Sequence, residues 1–437
     1  MTTSPHKSSS HRAHSRAGYK ATGVIAVSAL LLSGCGGGQG DDDSVELQLG
    51  FWGAENRVEN TEEIVAAFEE ANPGVSIEVS FSDWGGYWDR LTTQSAGGDA
   101  PDIMQFSNPY LREYAERGTL LPLDQVETAS IDESVVDSGV VDGEMYGVPV
   151  GVNIMAIAAN ETLFEEAGVE IPNDETWTWE EMGDAAAAVA EETGVYGMGA
   201  PIQEATFEIW LRQVDKGITD ADGEVAFEPE DATEYFQMLL DFEEQRVLPP
   251  ASVISEQNSG TLDQLLIRNN EAALGMEWNA GFGLLTEASG ESEFEILRFP
   301  SRTGEAENNG LYNNVSMFFS ASANTEHPEE AQAFIDFMVN SEEAGEINLI
   351  ERGFPANTEI REMVLPELEG ADRRAAEFLN DVTPELGEPR PITPLGFEPI
   401  LDEIYNHELG VLFGDMTPEE AGESLHSTVQ ELITSAQ

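Results

Sequence analysis

An α/β fold in two lobes is what this sequence predicts. Apolar extended stretches alternate with amphipathic helical ones from residue 45 onward, the order that builds a parallel or mixed sheet. Behind an N-terminal export signal lie about 400 residues, more than one hydrophobic core holds. Neither a long linker nor an internal repeat interrupts them, so the lobes are joined by ordered crossings rather than by a flexible string. Hydrophobic residues make up 41%, with 7 Trp and 20 Phe, enough to fill packed cores and to exclude a disordered acidic chain.

The N-terminal segment comes first. Met1 to Lys20 holds Lys7, Arg12, Arg16 and Lys20 and no acid, and Ala21 to Leu32 is mostly apolar before small residues begin. A basic region, a short apolar region and a small-residue site form a secretory signal. The apolar run falls well short of the roughly 20 residues of a spanning helix, and no other stretch is long and apolar enough. Cys35 in "LLLSGCGGG" is the chain's one cysteine, so it closes no internal disulfide. Flanking glycines do not build the pocket that activates a thiol. Leu32-Ser33-Gly34-Cys35 resembles the lipobox of bacterial lipoproteins. The resemblance implies removal of residues 1–34 and lipidation of Cys35, which anchors the protein to the extracellular face of the cell membrane. An ordinary cleaved signal with an accidental cysteine is the alternative. Residues 35–44, with "GGGQGDDD", then form a solvated tether.

Strand and helix signals follow in order. "VELQLGFWG", 45–53, alternates as a first strand does. "NTEEIVAAFEEANPG" carries the apolar stripe Ile64, Val65, Phe68, with Thr61 as the expected start and Asn72-Pro73-Gly74 as the stop. "VSIEVSF", 75–81, and "PDIMQFS", 101–107, read as strands two and three, the latter buried. "YWDRLTTQSAGG" and "PYLREYAERG" read as the helices after them, the second ending at Gly118. "YGVPVGVNIMAIAAN", 146–160, is one long extended apolar segment, followed by a helix in "ETLFEEAG". Thr178 caps the helix in "TWEEMGDAAAAVAEETG". Short apolar runs and helices alternate through 195–299, a strand end and one long helix fill 321–350, and the tail from Thr393 is mainly helical.

The formal net charge is −65; without the four basic residues of the signal, 15 Lys+Arg face 84 Asp+Glu, or −69. Acids are spread along the whole chain. Nucleic acid is excluded as a partner, because neutralising phosphates requires a basic surface. Either the surface is kept soluble at high ionic strength, where screening blunts self-repulsion, or the composition is simply biased.

Four stretches carry a family resemblance. They are "AGGDAPDIMQFSNPYLREYAERGTLLPLD", "GEMYGVPVGVNIMAIAANETLFEEAG", "EAALGMEWNAG" and "HPEEAQAFIDFM". In this order and spacing they resemble the extracellular solute-binding proteins of ABC importers, of the sugar-binding, maltose-binding-protein-like type, over roughly residues 45–437. One departure stands at Ala159-Asn160, where the family has Tyr-Asn. The resemblance implies a two-lobed, type II periplasmic-binding-protein fold with the ligand in the cleft between lobes. It implies lobes at 45–155 plus 310–355 and at 156–309 plus 356–437, with crossings near 153–158, 298–312 and 352–360. It further implies hinge closure on a mono- or oligosaccharide and delivery to permease subunits in the membrane, by a monomer without cofactor.

A sugar presents apolar C–H faces and a rim of hydroxyls, so it calls for aromatic plates and planar polar side chains. In open α/β sheets the ligand sits beyond the carboxyl ends of strands. Trp52, Glu55 and Arg57 follow strand one; Asp83 and Trp84, with Trp88, follow strand two; Ser107 and Asn108 follow strand three. Asn153, Tyr312, Asn313 and Arg352 fall on the expected crossings, and Trp210, Trp278 and Asn279 belong to the second lobe. Each has a competing role in packing or capping. For Trp88, Tyr110, Trp177 and Trp179 the packing role is the expectation.

Signs of catalysis or a metal are missing. "NHELG" lacks the second histidine of a zinc helix, and no Gly-x-Ser-x-Gly elbow occurs. "TDADGEV" has its glycine in the wrong place for a calcium loop, so Asp220 and Asp222 belong to an Asp-Gly turn. A polyol, glycerol phosphate or compatible solute on the same fold is the second reading. A secreted glycoside-active enzyme is the third.

Overall fold

A computed structural model describes residues 44–201, 203–259, 264–290 and 292–436. The expected export signal, Cys35 and the expected tether up to residue 43 lie outside the described residues. β1 (Val45–Trp52), α1 (Glu55–Ala71), β2 (Val75–Ser82), α2 (Trp84–Gly97), β3 (Ile103–Phe106) and α3 (Asn108–Glu116) alternate as expected. β1 pairs in parallel with both β2 and β3. Its inward side chains Leu47, Leu49 and Phe51 are buried, at about 1.5–3 kcal/mol each in removed apolar surface.

Thr61 is not the start of α1. The turn at Gly53-Ala54 lets the helix begin at Glu55, and Thr61 lies inside it, fully buried, its hydroxyl donating to the Arg57 carbonyl at 2.5 Å. Asn72-Pro73-Gly74 does end the helix, with Gly74 at φ +107°. α3 stops at Glu116, and Gly118 takes φ +69° just beyond.

β4 (Leu120–Leu121), α4 (Glu133–Asp137) and the hairpin of β5 (Val140–Val141) with β6 (Glu144–Met145) lead to β7 (Val148–Asn153) and β8 (Met155–Asn160). Only Ile154 separates these last two, yet they lie in different sheets. The single apolar segment of the sequence is therefore two strands. All six residues of β8 are buried: Met155, Ile157 and Ala159 face one core, Ala156 and Ala158 the other. A strand covered on both faces reads as an unbroken apolar run.

α5 (Glu161–Ala167) is capped by the Asn160 side chain. α6 (Trp179–Thr193) opens on a complete capping box between Thr178 and Glu181. β9 (Tyr196–Met198), α7 (Gln203–Arg212), α8 (Pro229–Glu244), α9 (Ala251–Ser259), β10 (Ala272–Trp278), α10 (Phe282–Ser289), β11 (Phe294–Leu297) and β12 (Asn314–Ser322) follow. The long helix expected by residue 350 is two, α11 (Pro328–Asn340) and α12 (Glu342–Asn348). Ser341 is extended, and its hydroxyl accepts the Ala344 N–H to cap the second. β13 (Phe354–Pro355), α13 (Thr358–Val364), α14 (Gly370–Val382), α15 (Glu398–Leu412) and α16 (Pro418–Ala436) complete the order.

Among the described residues, seven strands form the larger sheet in the order β13-β7-β12-β3-β1-β2, with β4 beside β12. Four form the smaller, β11-β8-β10-β9. The chain passes between them at Ile154 and between Leu297 and Asn314. The last passage lies beyond 352–360: β13 still pairs with β7, α13 packs on α12 and β13, and α14 is the first to join α10 and β11. No helix among the described residues is long and apolar enough to cross a membrane.

Candidate functional site

An aromatic wall stands at the carboxyl ends of β1, β2 and β3. Trp52 ends β1, Trp84 opens α2, and Tyr110 lies in the first turn of α3. The Asp83 carboxylate accepts the Gly86 N–H at 3.0 Å and so fixes the start of α2. Gly85 and Gly86 offer no side chains to cover the Trp84 ring, which stays 46% exposed. It meets Trp52 edge to face at 4.9 Å. Trp88, buried behind it, stacks on Tyr110 at 3.7 Å, so both keep the packing role expected of them. Phe81, 48% exposed, belongs to the other face of the sheet, in register with Phe51 at 6.2 Å between ring centres. Burial, then the nearby Glu398 carboxylate, pushes the Tyr110 hydroxyl up to about 12.

Charged candidates divide. Glu55 and Asp83 are exposed beside the wall. Arg57 is held: Nε donates to both Glu351 carboxylate oxygens at 2.8 and 3.0 Å, and Nη1 to the Trp52 carbonyl at 3.0 Å. Arg352 is corrected to a core residue. It is fully buried, donating to Thr61 at 2.7 Å and Asn348 at 3.0 Å, with its guanidinium 5.6 Å from the Phe51 ring centre. Burial and the neighbouring Arg57 charge lower its pKa to about 9.

Ser107 is half-buried at the mouth of α3. Asn108 is already engaged by a distant segment: its side-chain oxygen accepts the Thr393 N–H and its carbonyl the Thr393 hydroxyl, both at 3.2 Å. Arg112 donates to the Thr393 carbonyl at 3.0 Å. The same segment sends Arg390, buried, to Glu204 and to the Tyr312 hydroxyl. Arg390 was missed at sequence level; its setting in "EPRPITP", an arginine between prolines, was the available signal.

Where the chain passes between sheets, Asn279 clamps Ile154. Its Oδ1 accepts the Ile154 N–H and its own N–H donates to the Ile154 carbonyl, both at 2.9 Å. Its Nδ2 has no partner, nor has Oδ1 of Asn153. A donor and an acceptor thus flank the passage, with Trp278 half-buried beside them and Asn313 half-buried before β12. Trp210 and Tyr312 are corrected to core positions. Trp210, 7% exposed, donates to the Asp231 carbonyl at 3.2 Å under the Arg302 guanidinium. Tyr312 is buried below Arg212.

A cavity of about 580 Å³ opens elsewhere, lined by Glu208, Arg212, Lys216, Asp220, Glu385 and Pro389 among others. It shares no residue with the aromatic wall, and its guanidinium is spent on Glu208 and the Glu388 carbonyl. The wall, with its uncovered ring, is the better site. Asp220 is turned inward on its own loop, accepting N–H groups from Asp222 and Glu224.

Residues 63–367 match the family of bacterial extracellular solute-binding proteins. This chain belongs to that family. A solute-binding protein of its family 1 from Alicyclobacillus acidocaldarius is 26% identical, covers 89% of this chain and 98% of its own, and superposes with a TM-score of 0.69. The periplasmic oligogalacturonide binding protein of Yersinia enterocolitica, in complex with saturated digalacturonic acid, is 22% identical over 90% and 99%, with a TM-score of 0.77. The two-lobed type II fold expected from the sequence is the fold of this solute-binding protein. An uncharacterized lipoprotein of Streptomyces antibioticus is 28% identical over 335 residues, 72% of this chain and 71% of its own. The multiple sugar-binding protein of Streptococcus mutans is 23% identical over 336 residues, 73% and 77%.

Proposed function

We propose that this solute-binding protein captures a mono- or oligosaccharide between its lobes and presents it to an ABC permease, without chemistry. The observation that carries the reading is the half-exposed Trp84 ring set edge-on to Trp52 beyond three strand ends, a plate for the apolar face of a sugar. Two relatives named for sugars, from Streptococcus mutans and Yersinia enterocolitica, support it. Arg57 is paired, and Glu55 and Asp83 lie exposed nearby, which favours a neutral sugar over a phosphate. In this reading the passages at Ile154, 298–313 and 365–369 are the hinge, and lipidated Cys35 tethers a monomer to the membrane.

Thermal unfolding of residues 45–437 in high salt, against sugars, polyols, glycerol phosphate and compatible solutes, tests the ligand class. A ligand bound only by the folded chain raises the midpoint by mass action. A neutral sugar among the hits is expected. Hits confined to glycerol phosphate or a compatible solute would move the reading to the second ligand class, and a cleaved sugar would move it to an enzyme.

A further inference from the structure

Two side chains hold the main-chain carbonyl of Trp52, Arg57 at 3.0 Å and Gln105 at 3.4 Å. Both lead to one stretch nearly 300 residues away. Arg57 forks onto the Glu351 carboxylate at 2.8 and 3.0 Å and adds a bond to the Glu351 carbonyl at 3.4 Å. Gln105 accepts from Nε of Arg352 at 3.5 Å. Thr61 closes the ring, donating to the Arg57 carbonyl at 2.5 Å and accepting from Arg352 at 2.7 Å.

The next residue is Gly353, at φ +91°. A Cβ there would come within 3.0 Å of Ser316 and 3.1 Å of the Asn153 side-chain oxygen. The Ser316 hydroxyl lies within hydrogen-bond reach of the Gly151 and Arg352 carbonyls, at 3.0 and 2.5 Å. Asn153 is the last residue of β7 before the chain leaves the larger sheet. A set of bonds therefore runs from the β7 backbone at Gly151, two residues before the end of that strand, to the backbone of the tryptophan against which Trp84 is set, and Gly353 brings it against Asn153 by close approach.

We infer that Arg57 and Glu351 are a positioning pair that couples the seating of Trp52 to the close approach of Gly353 to Asn153, beside the passage at Ile154. A forked guanidinium–carboxylate bond fixes orientation as well as distance, so motion of residue 351 turns Arg57 and with it the Trp52 carbonyl. Rotation about the passage then reaches the aromatic wall through side chains as well as through the sheet. The inference rests on the proposed hinge and ligand wall, but its test needs no ligand.

The test uses the full chain carrying 5-fluorotryptophan, one ¹⁹F resonance per tryptophan, each assigned by a Trp→Phe variant. Ser316→Ala removes one hydroxyl at the contact of Gly353 with β7, beside the passage at Ile154; Gly353→Ala is a stronger perturbation of the same place. Each is made with Glu351 intact and with Glu351→Gln. The expected result is a displaced Trp52 resonance with Glu351 present, at least halved in Glu351→Gln, while Trp177 and Trp179 stay in place. Arg57→Lys, which keeps the charge and loses the fork, is expected to act like Glu351→Gln. Equal displacement of Trp52 in both backgrounds, or none in either, overturns the coupling. Should Gly353→Ala fail to fold, the Ser316→Ala pair decides alone. Sugar binding can fail while this result holds, and the reverse.

Discussion

Replacing Trp84 by alanine separates binding from folding. The ring is 46% exposed and meets its neighbours at its edges, Trp52 at 4.9 Å, Trp88 at 5.6 Å and Tyr110 at 6.1 Å. Its loss costs about 1–2 kcal/mol of stability, less than the 3–5 kcal/mol of a buried tryptophan. A lost stacking plate costs about 1–3 kcal/mol of affinity, roughly 5- to 150-fold in Kd. Trp210→Ala reverses the pattern: that ring is 7% exposed and bonded to the Asp231 carbonyl, so stability falls by about 3–5 kcal/mol. Urea unfolding and calorimetric titration with the sugar that raises the melting midpoint read both quantities. Trp84→Ala with unchanged affinity and an intact fold refutes the wall as the binding plate.

Glu408 is buried, with one oxygen accepting from Tyr235 at 2.8 Å and the other unpartnered. Burial pushes its pKa up to about 8. The folded chain then keeps a proton that the unfolded chain releases near pH 4.5, so this group's contribution to stability falls as pH rises from about 4.5 to 8 and is level above. Glu408→Gln gains on wild type across that window in melts from pH 5 to 9; a difference independent of pH counts against the assignment. Arg352→Ala leaves Thr61, Asn348 and Gln105 without their donor and costs about 3–5 kcal/mol in urea unfolding. A cost under about 1 kcal/mol contradicts its core role. With a net charge of −65, the melting midpoint rises steeply with added sodium chloride, and a flat profile removes the screening argument. Cys35→Ala releases the protein from the membrane fraction with sugar binding kept; retention in the membrane disproves the anchor.

The alternation of strands and helices was legible because period-2 and period-3.6 patterns are local properties. What failed was local ambiguity. Residues 146–160 read as one segment, since a strand buried on both faces loses its period, and the switch between sheets at Ile154 leaves no mark. Thr61 looked like a cap because it precedes acids, but the short turn at Gly53-Ala54 had already begun the helix. Trp84 is exposed beyond strand two, where the sequence placed it as a ligand candidate, because the glycines after it leave the ring uncovered; Asp83, a ligand candidate there, turns out to cap α2. Trp210, Tyr312 and Arg352 are buried instead, because their exposure is decided by Asp231, Arg390 and Thr61, which come from elsewhere in the chain.

Calorimetric titration of residues 45–437 with the best sugar from the thermal panel, followed by mass analysis of the recovered ligand, tests the central claim most directly. The account predicts saturable binding of one sugar per chain, weakened by Trp84→Ala, and a ligand recovered unchanged. A sugar returned cleaved, or binding that Trp84→Ala leaves untouched, contradicts it.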